Sequence, residues 1–337
     1  MAVDSSIATE TAERATVDDR RWHRIRVRIA VGYFVLLAAF IATVGVPSDR
    51  EALLLFTLAG LGIRCVGRGW RSFRRVLLDW LPFTAMLIAY DYTRGFADHL
   101  GINTHLRAPA DADEWLFGGT LPTAWLQQHL FSPGTTHWYD AVATLVYTSH
   151  FLATPVVAVV LWLRNRPAWL DFIVRVMALS LLGLLTYVIY PAAPPWLAAR
   201  DGAIAPVVRL SSRGWLELHL SRAGNMLAGA QAGVNEVAAM PSMHTAMATV
   251  IALFLFGRSP WWGKVLCVLY PIAMGLALVY TGEHYVIDVL VGYAYGALLM
   301  ALMPAAQRSW RRRRAGRTLP LSRADSACRA AQDCADC

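Results

Sequence analysis

The sequence predicts an all-α membrane protein: a polytopic transmembrane helix bundle of six to eight spanning helices, with interfacial helices in its outer loops. Three observations predict it. Of 337 residues, 56% are hydrophobic and only 16% are charged, whereas about a quarter of a soluble chain is charged. Apolar runs recur near the roughly 20 residues that cross a bilayer. Basic residues gather beside those runs, at Arg20 to Arg28, Arg64 to Arg75 and Arg308 to Arg317, as cytoplasmic flanks do. The same placement argues against a nucleic-acid partner, despite a net charge of +8. Thirteen tryptophans and twelve tyrosines suit the headgroup level, where amphipathic rings collect.

Taken in order, the candidate spans are 27–47, 51–67, 75–94, 138–163, 171–191, 242–257, 263–281 and 285–304. The second and sixth are short. Residues 1–26 read as a disordered cytoplasmic N-terminus and 27–74 as accessory transmembrane helices. Residues 75–304 read as the membrane core, and 305–337 as a basic cytoplasmic tail. No cleavable signal peptide is expected, because residues 1–20 contain no apolar stretch. The five cysteines suggest no disulfide framework.

Loop charge sets the orientation. With both termini in the cytoplasm, the inner loops hold Arg64, Arg68, Arg71, Arg74, Arg75, Arg164, Arg166, Arg258 and Lys264. The long outer loop 95–137 carries Asp98, Asp111, Asp113 and Glu114, with Arg107 as its one arginine. That asymmetry follows the positive-inside rule. It implies a multi-pass protein of the cell membrane. In the outer loops, 112–130 predicts a short interfacial helix and a turn at Gly118-Gly119 and Pro122. Residues 191–196 predict a stiff extended stretch, since proline fixes φ, and 212–232 a further interfacial helix.

Three polar segments then fall at the outer side. In Gly282-Glu283-His284-Tyr285-Val286-Ile287-Asp288, His284 and Asp288 stand at i and i+4 and share a helix face. The carboxylate can fix one imidazole nitrogen and leave the other as nucleophile or base. Ionisable groups in membrane helices are functional candidates. The plainer reading is an interfacial pair that anchors a helix end. In Met240-Pro241-Ser242-Met243-His244, Pro241 and Ser242 open a helix and help satisfy its free amides. That helix start suits a phosphate oxygen, and His244 there can protonate a leaving oxygen. Its plainer reading is a capped helix with an interfacial histidine. Asp91 and Arg94 close the third segment. Arg94 can hold a phosphate bidentately or snorkel beside Asp91. His150, within the fourth span, reads as a satisfied polar core contact. Arg107, Arg200, Arg209, Arg213 and Arg222 lie in outer loops, with no single one singled out.

At these residues the chain resembles the type 2 phosphatidic acid phosphatase superfamily. Pro241-Ser242-Met243-His244 is similar to its Pro-Ser-Gly-His motif, and His284-x3-Asp288 to the end of its Ser-Arg-x5-His-x3-Asp motif. Within it, Gly282 to Asp288, Ala193-Pro194-Pro195-Trp196 and Asp113 to Gly118 resemble the branch related to inositol phosphorylceramide synthase. The resemblance implies a metal-independent route: His284 attacks phosphorus, Asp288 orients it and His244 protonates the departing oxygen. It implies no cofactor. Substrate contacts are expected at Arg94, Asp91, Ser242 and Tyr285. The chain departs from the family pattern at Leu278, where the family has its arginine, and it lacks the family's Lys-x6-Arg-Pro motif.

The expected function is therefore phosphotransfer or phosphatase chemistry on a lipid-linked phosphate. The phospho-headgroup passes to a polyol, sugar or lipid hydroxyl acceptor, or to water in plain lipid phosphate or polyprenyl pyrophosphate hydrolysis. Two other classes remain open on the residues alone. One is a glycolipid or polyprenyl lipid transporter with histidine proton relays. The other is a metal site built from His244, His284 and Asp288.

Overall fold

A computed structural model describes residues 2–43, 50–96, 103–220 and 236–317. Among them the chain is helical, with no strand. Twelve described helices follow in order: α1 (Ala2–Thr43), α2 (Arg50–Ile63), α3 (Trp70–Phe96), α4 (Ala108–Leu116), α5 (Pro122–Leu130), α6 (Trp138–Arg164), α7 (Arg166–Ile189), α8 (Pro195–Arg200), α9 (Gly214–Glu217), α10 (Met243–Phe256), α11 (Trp261–Tyr280) and α12 (Val286–Arg317). Each of the eight expected spans corresponds to one of the long helices α1, α2, α3, α6, α7, α10, α11 and α12.

Among the described residues, four stretches are long and apolar enough to cross a membrane: Trp138–Arg164, Arg166–Ile189, Trp261–Tyr280 and Val286–Ser309. Their outward faces are apolar. Leu181, Leu185 and Ile189 on α7, and Leu298 and Leu302 on α12, are all exposed, which in water would be an aggregating patch. The protein is a multi-pass membrane protein. Helix α10 has 14 residues, about 21 Å of rise, and is shorter than the roughly 30 Å hydrocarbon core.

Side-chain chemistry explains the joints. Asn165 separates α6 from α7, and its side chain accepts the Ala168 amide with Pro167 beside it. At the same end of the bundle Asp79 of α3 accepts from Trp162 Nε1 at 2.9 Å and from Arg166 Nε at 2.8 Å. Gln307 of α12 donates to Asp171 of α7 at 2.7 Å. Next to these bonds lies a core of Trp80, Trp169, Phe172, Leu179, Val250 and Phe254.

Helices α10 and α12 approach most closely at glycine. A Cβ on Gly292 would overlap Thr245 Oγ1 and the Ser242 carbonyl, and one on Gly296 would press on the Ala246 carbonyl at 2.7 Å. Glycines four apart let two membrane helices meet backbone to backbone. The contact sets the height of His244 against the start of α12.

At the opposite end from Asp79, α4, α5, α8 and α9 form an outer layer. The expected turn is present, with Gly118 at φ +62° and Gly119 at +89° before Pro122 opens α5. Short extended segments stitch the layer together. The Ala192 amide donates to the Val237 carbonyl at 2.8 Å, the Ala239 amide to Ala192 at 3.1 Å, and the His105 amide to Pro191 at 2.9 Å.

Two expectations change here. Residues 2–26, expected as a disordered N-terminus, are described as part of α1 (Ala2–Thr43). Of the helix expected over 212–232, α9 occupies Gly214–Glu217, and residues 221–235 lie outside the described residues. The rest of the predicted tail, 318–337, lies outside them too.

Candidate active site

Helix α11 ends at Tyr280, and the chain turns back along it. The Glu283 and His284 amides both reach the Leu278 carbonyl, at 3.0 and 3.3 Å. Gly282 makes the turn at φ +76°, where a Cβ would press on the Val208 carbonyl at 2.9 Å. His284 is thereby drawn below the outer end of the bundle.

Helix α12 then starts with free amides that need partners. Its cap comes from α4: Asp113 accepts the Ile287 and Val286 amides, one on each carboxylate oxygen, both at 2.8 Å. Asp113 is fully buried. That burial pushes its carboxyl up to about 6, against the pull of the two amides. Asp288, in the first turn of α12, accepts the Tyr285 amide on Oδ2 at 3.0 Å. The same oxygen faces His284 Nδ1 at 3.5 Å. Asp288 is 0% exposed and His284 5%.

Helix α10 brings the second histidine. Ser242 caps it, accepting the Thr245 amide, and the Ser242 amide donates to the Asp288 carbonyl at 3.1 Å. Tyr187 of α7 donates to the Pro241 carbonyl at 2.9 Å. These bonds tie the start of α10 to the start of α12. The rings of His244 and His284 meet with centroids 5.6 Å apart at 65°. His244 also stacks on Tyr147 of α6, at 5.1 Å and 26°. His150, one turn further on, lies 4.1 Å from it. Tyr147 stands nine residues into α6, about 14 Å of helix rise. The site is therefore recessed into the bundle rather than at its outer edge.

Sequence reasoning missed part of this. It read His150 as a core contact and did not single out Tyr147. Their i, i+3 spacing on one face of α6 was the available signal. Asp113 carried no visible sign of capping a helix 173 positions away. Two of the expected substrate contacts are fully buried. Tyr285 is 0% exposed, buried among Ala110, Leu121, Ala193 and Leu197. Ser242 is 0% exposed and is used as the cap of α10. Asp91 and Arg94 fall in the last turns of α3, and their side chains lie outside the described residues.

The rim of the site is charged. Arg209, between α8 and α9, makes two bonds to Glu283, at 2.7 and 3.1 Å. Behind His150 an apolar cavity of about 80 Å³ extends between α2, α3, α6, α7 and α10, lined by Leu54, Trp80, Phe83, Phe151, Val176 and Met243. Among the described residues, no group of three His, Cys, Asp or Glu side chains is arranged to hold a metal. What the arrangement offers is a buried imidazole with a carboxylate behind it, a second imidazole in front, and an apolar space alongside.

A family model described as the PAP2 superfamily matches residues 111–302, from α4 into α12, and so contains both histidines and Asp288. The chain is also 26% identical over 301 residues to a protein of Bacteroides thetaiotaomicron named phosphoinositol dihydroceramide synthase. That alignment covers 81% of this chain and 89% of the relative. No solved structure matches the chain.

Proposed function

The chain belongs to the PAP2 superfamily, and from that premise we propose that it transfers a phospho-headgroup from a lipid-linked donor to a hydroxyl acceptor through a phosphohistidine on His284. It is a membrane enzyme of the PAP2-like phosphotransferase/phosphatase type. The observation that carries the finer reading is the facing of His244 and His284, 5.6 Å between centroids, with Asp288 behind His284 Nδ1.

The steps follow from that order. Asp288 holds the proton on Nδ1, leaving the lone pair of His284 on Nε2. Nε2 attacks phosphorus, and the bond from phosphorus to the leaving oxygen breaks. His244, protonated, gives its proton to that oxygen. Neutral His244 then takes the proton of an acceptor hydroxyl. The hydroxyl oxygen attacks phosphorus, the phosphorus–nitrogen bond breaks and His284 returns to its starting form.

Water in the acceptor's place would give plain hydrolysis. Transfer is favoured because His284 is 5% exposed beneath the outer layer, which limits access by bulk water. The name of the Bacteroides relative points the same way, to a phosphoinositol group passing to dihydroceramide. The orientation proposed from loop charge puts this site on the extracytoplasmic side of the plasma membrane, with both termini cytoplasmic.

The test offers the purified protein a phosphoinositol-bearing lipid with dihydroceramide, and separately phosphatidic acid with water, both in EDTA. Products are identified by mass spectrometry. The expected result is transfer that survives EDTA and is abolished in His284→Ala. Turnover retained in His284→Ala would remove the phosphohistidine.

A further inference from the structure

Phosphoryl chemistry needs fixed positive charge against the non-bridging oxygens. Leu278 supplies none. It is apolar and 0% exposed. The described outer layer has four arginines in view, and three are tied to its own scaffold. Arg107 bonds Asp111, Glu114 and the Ala203 carbonyl. Arg213 bonds the Ser132 and Thr135 carbonyls. Arg200 pairs with Asp201 and Glu236.

Arg209 differs in its address. Its partner, Glu283, directly precedes His284 in the chain. The loop that carries it is fastened to the same turn by several bonds. The Gln127 side chain accepts the Val208 amide at 2.8 Å and donates to the Val208 carbonyl at 2.8 Å and to the Tyr280 carbonyl at 2.9 Å. The Leu210 amide donates to the Thr281 carbonyl at 2.9 Å. The guanidinium also rests over the Trp196 ring at 4.7 Å, which fixes its plane. Its side chain is 32% exposed and that of Glu283 only 8%. The cation is thus the accessible member of the pair, and the carboxylate lies behind it.

We propose that Arg209 is a phosphate-binding cation of this site, paired with Glu283 here and presented to the non-bridging oxygens of the donor phosphate when a lipid phosphate binds. The assignment rests on the phosphoryl-transfer reading. A planar guanidinium suits it, because Nε and one N–H of Nη2 keep the carboxylate while the remaining N–H bonds of the two Nη atoms can hold one phosphate oxygen pair. Glu283 compensates the charge of a partly buried arginine and aims it beside His284.

Orthovanadate is the probe, bound to the full-length protein in detergent and followed by calorimetry, with kcat and KM measured beside it. Arg209→Gln is expected to weaken vanadate binding at least tenfold and to raise KM by more than it lowers kcat. Arg209→Lys should recover part of the binding as a point charge. Glu283→Gln should bind vanadate at least as tightly as wild type, since the cation loses a competing anion. Wild-type vanadate affinity in Arg209→Gln would overturn the assignment, and so would equal losses in Arg209→Gln and Glu283→Gln, the mark of a structural brace. If Arg209→Gln fails to fold, Arg209→Lys decides: binding weaker than wild type at an unchanged melting temperature upholds a cation role, and wild-type affinity, or a loss matched by a lower melting temperature, overturns it. Wild-type protein that binds no vanadate overturns both this assignment and the phosphoryl-transfer reading.

Discussion

Asp288 has two donors to serve with one oxygen. Its Oδ2 takes the Tyr285 amide at 3.0 Å and faces His284 Nδ1 at 3.5 Å, while its own carbonyl takes the Ser242 amide. One residue thus holds the start of α12, the orientation of the proposed nucleophile and the cap of α10. Those duties separate chemically. The backbone carbonyl survives any side-chain change, and an asparagine oxygen can still accept the Tyr285 amide. What Asp288→Asn removes is the negative charge behind the imidazole, and it offers an NH₂ that disfavours a proton on Nδ1. The expected outcome is a fall in kcat on the order of 10²–10⁴, as when a carboxylate behind a catalytic imidazole becomes an amide. The melting temperature should change by only a few degrees. Steady-state kinetics and thermal unfolding in detergent measure the two effects, and near wild-type kcat would take Asp288 out of the mechanism. This pair was legible in the sequence because i, i+4 spacing is local. Asp113, Tyr147 and Arg209 were not, because each acts on a segment far along the chain.

The same division holds for helices. The long apolar runs announce themselves, and the expected segments at 138–163, 171–191 and 263–281 match α6, α7 and α11 to within about five residues. Which helices touch is less visible. The crossing of α10 and α12 depends on Gly292 and Gly296, two glycines in an apolar run that already reads as a span. Their meaning appears only when Ser242, Thr245 and Ala246 lie against them. That crossing sets the separation of the two histidine motifs, so on the proposed mechanism its integrity is a functional matter as well as a packing one. Gly292→Ala puts a methyl group where Thr245 Oγ1 and the Ser242 carbonyl already sit. The helices must part by some tenths of an ångström, and overpacking of this kind costs about 1–3 kcal/mol. The expected result is a lower melting temperature together with lost turnover, although Gly292 touches no substrate. Gly257→Ala, at the end of α10 with open space around its Cβ position, is the comparison. Equal effects from the two would show that glycine removal, and not the close crossing, is responsible.

At the scale of the whole molecule, the bundle has two chemically different ends. One gathers Arg64, Arg164, Arg166 and Arg258 around the joints of α2, α6, α7 and α10. The other carries the outer layer, with Asp113, Glu114 and the recessed histidines. The sequence displayed that polarity through loop charge alone, because the positive-inside bias is written into short loops and needs no tertiary contact. It could not display the depth of the site. Depth arises from the turn at Gly282, from the shortness of α10 and from the outer layer above, which are joined by bonds between distant segments. The proposed orientation has a direct test at the exposed turn after α4. In a background with the natural cysteines replaced, Thr120→Cys lies on that turn, exposed, and on the acidic side of the bundle. A membrane-impermeant maleimide added to intact cells is expected to label it at once, whereas a cysteine replacing Arg166 at the basic end should react only after the membrane is opened. The reverse pattern would put the histidine site on the cytoplasmic side, so the headgroup donor would have to be drawn from the inner leaflet.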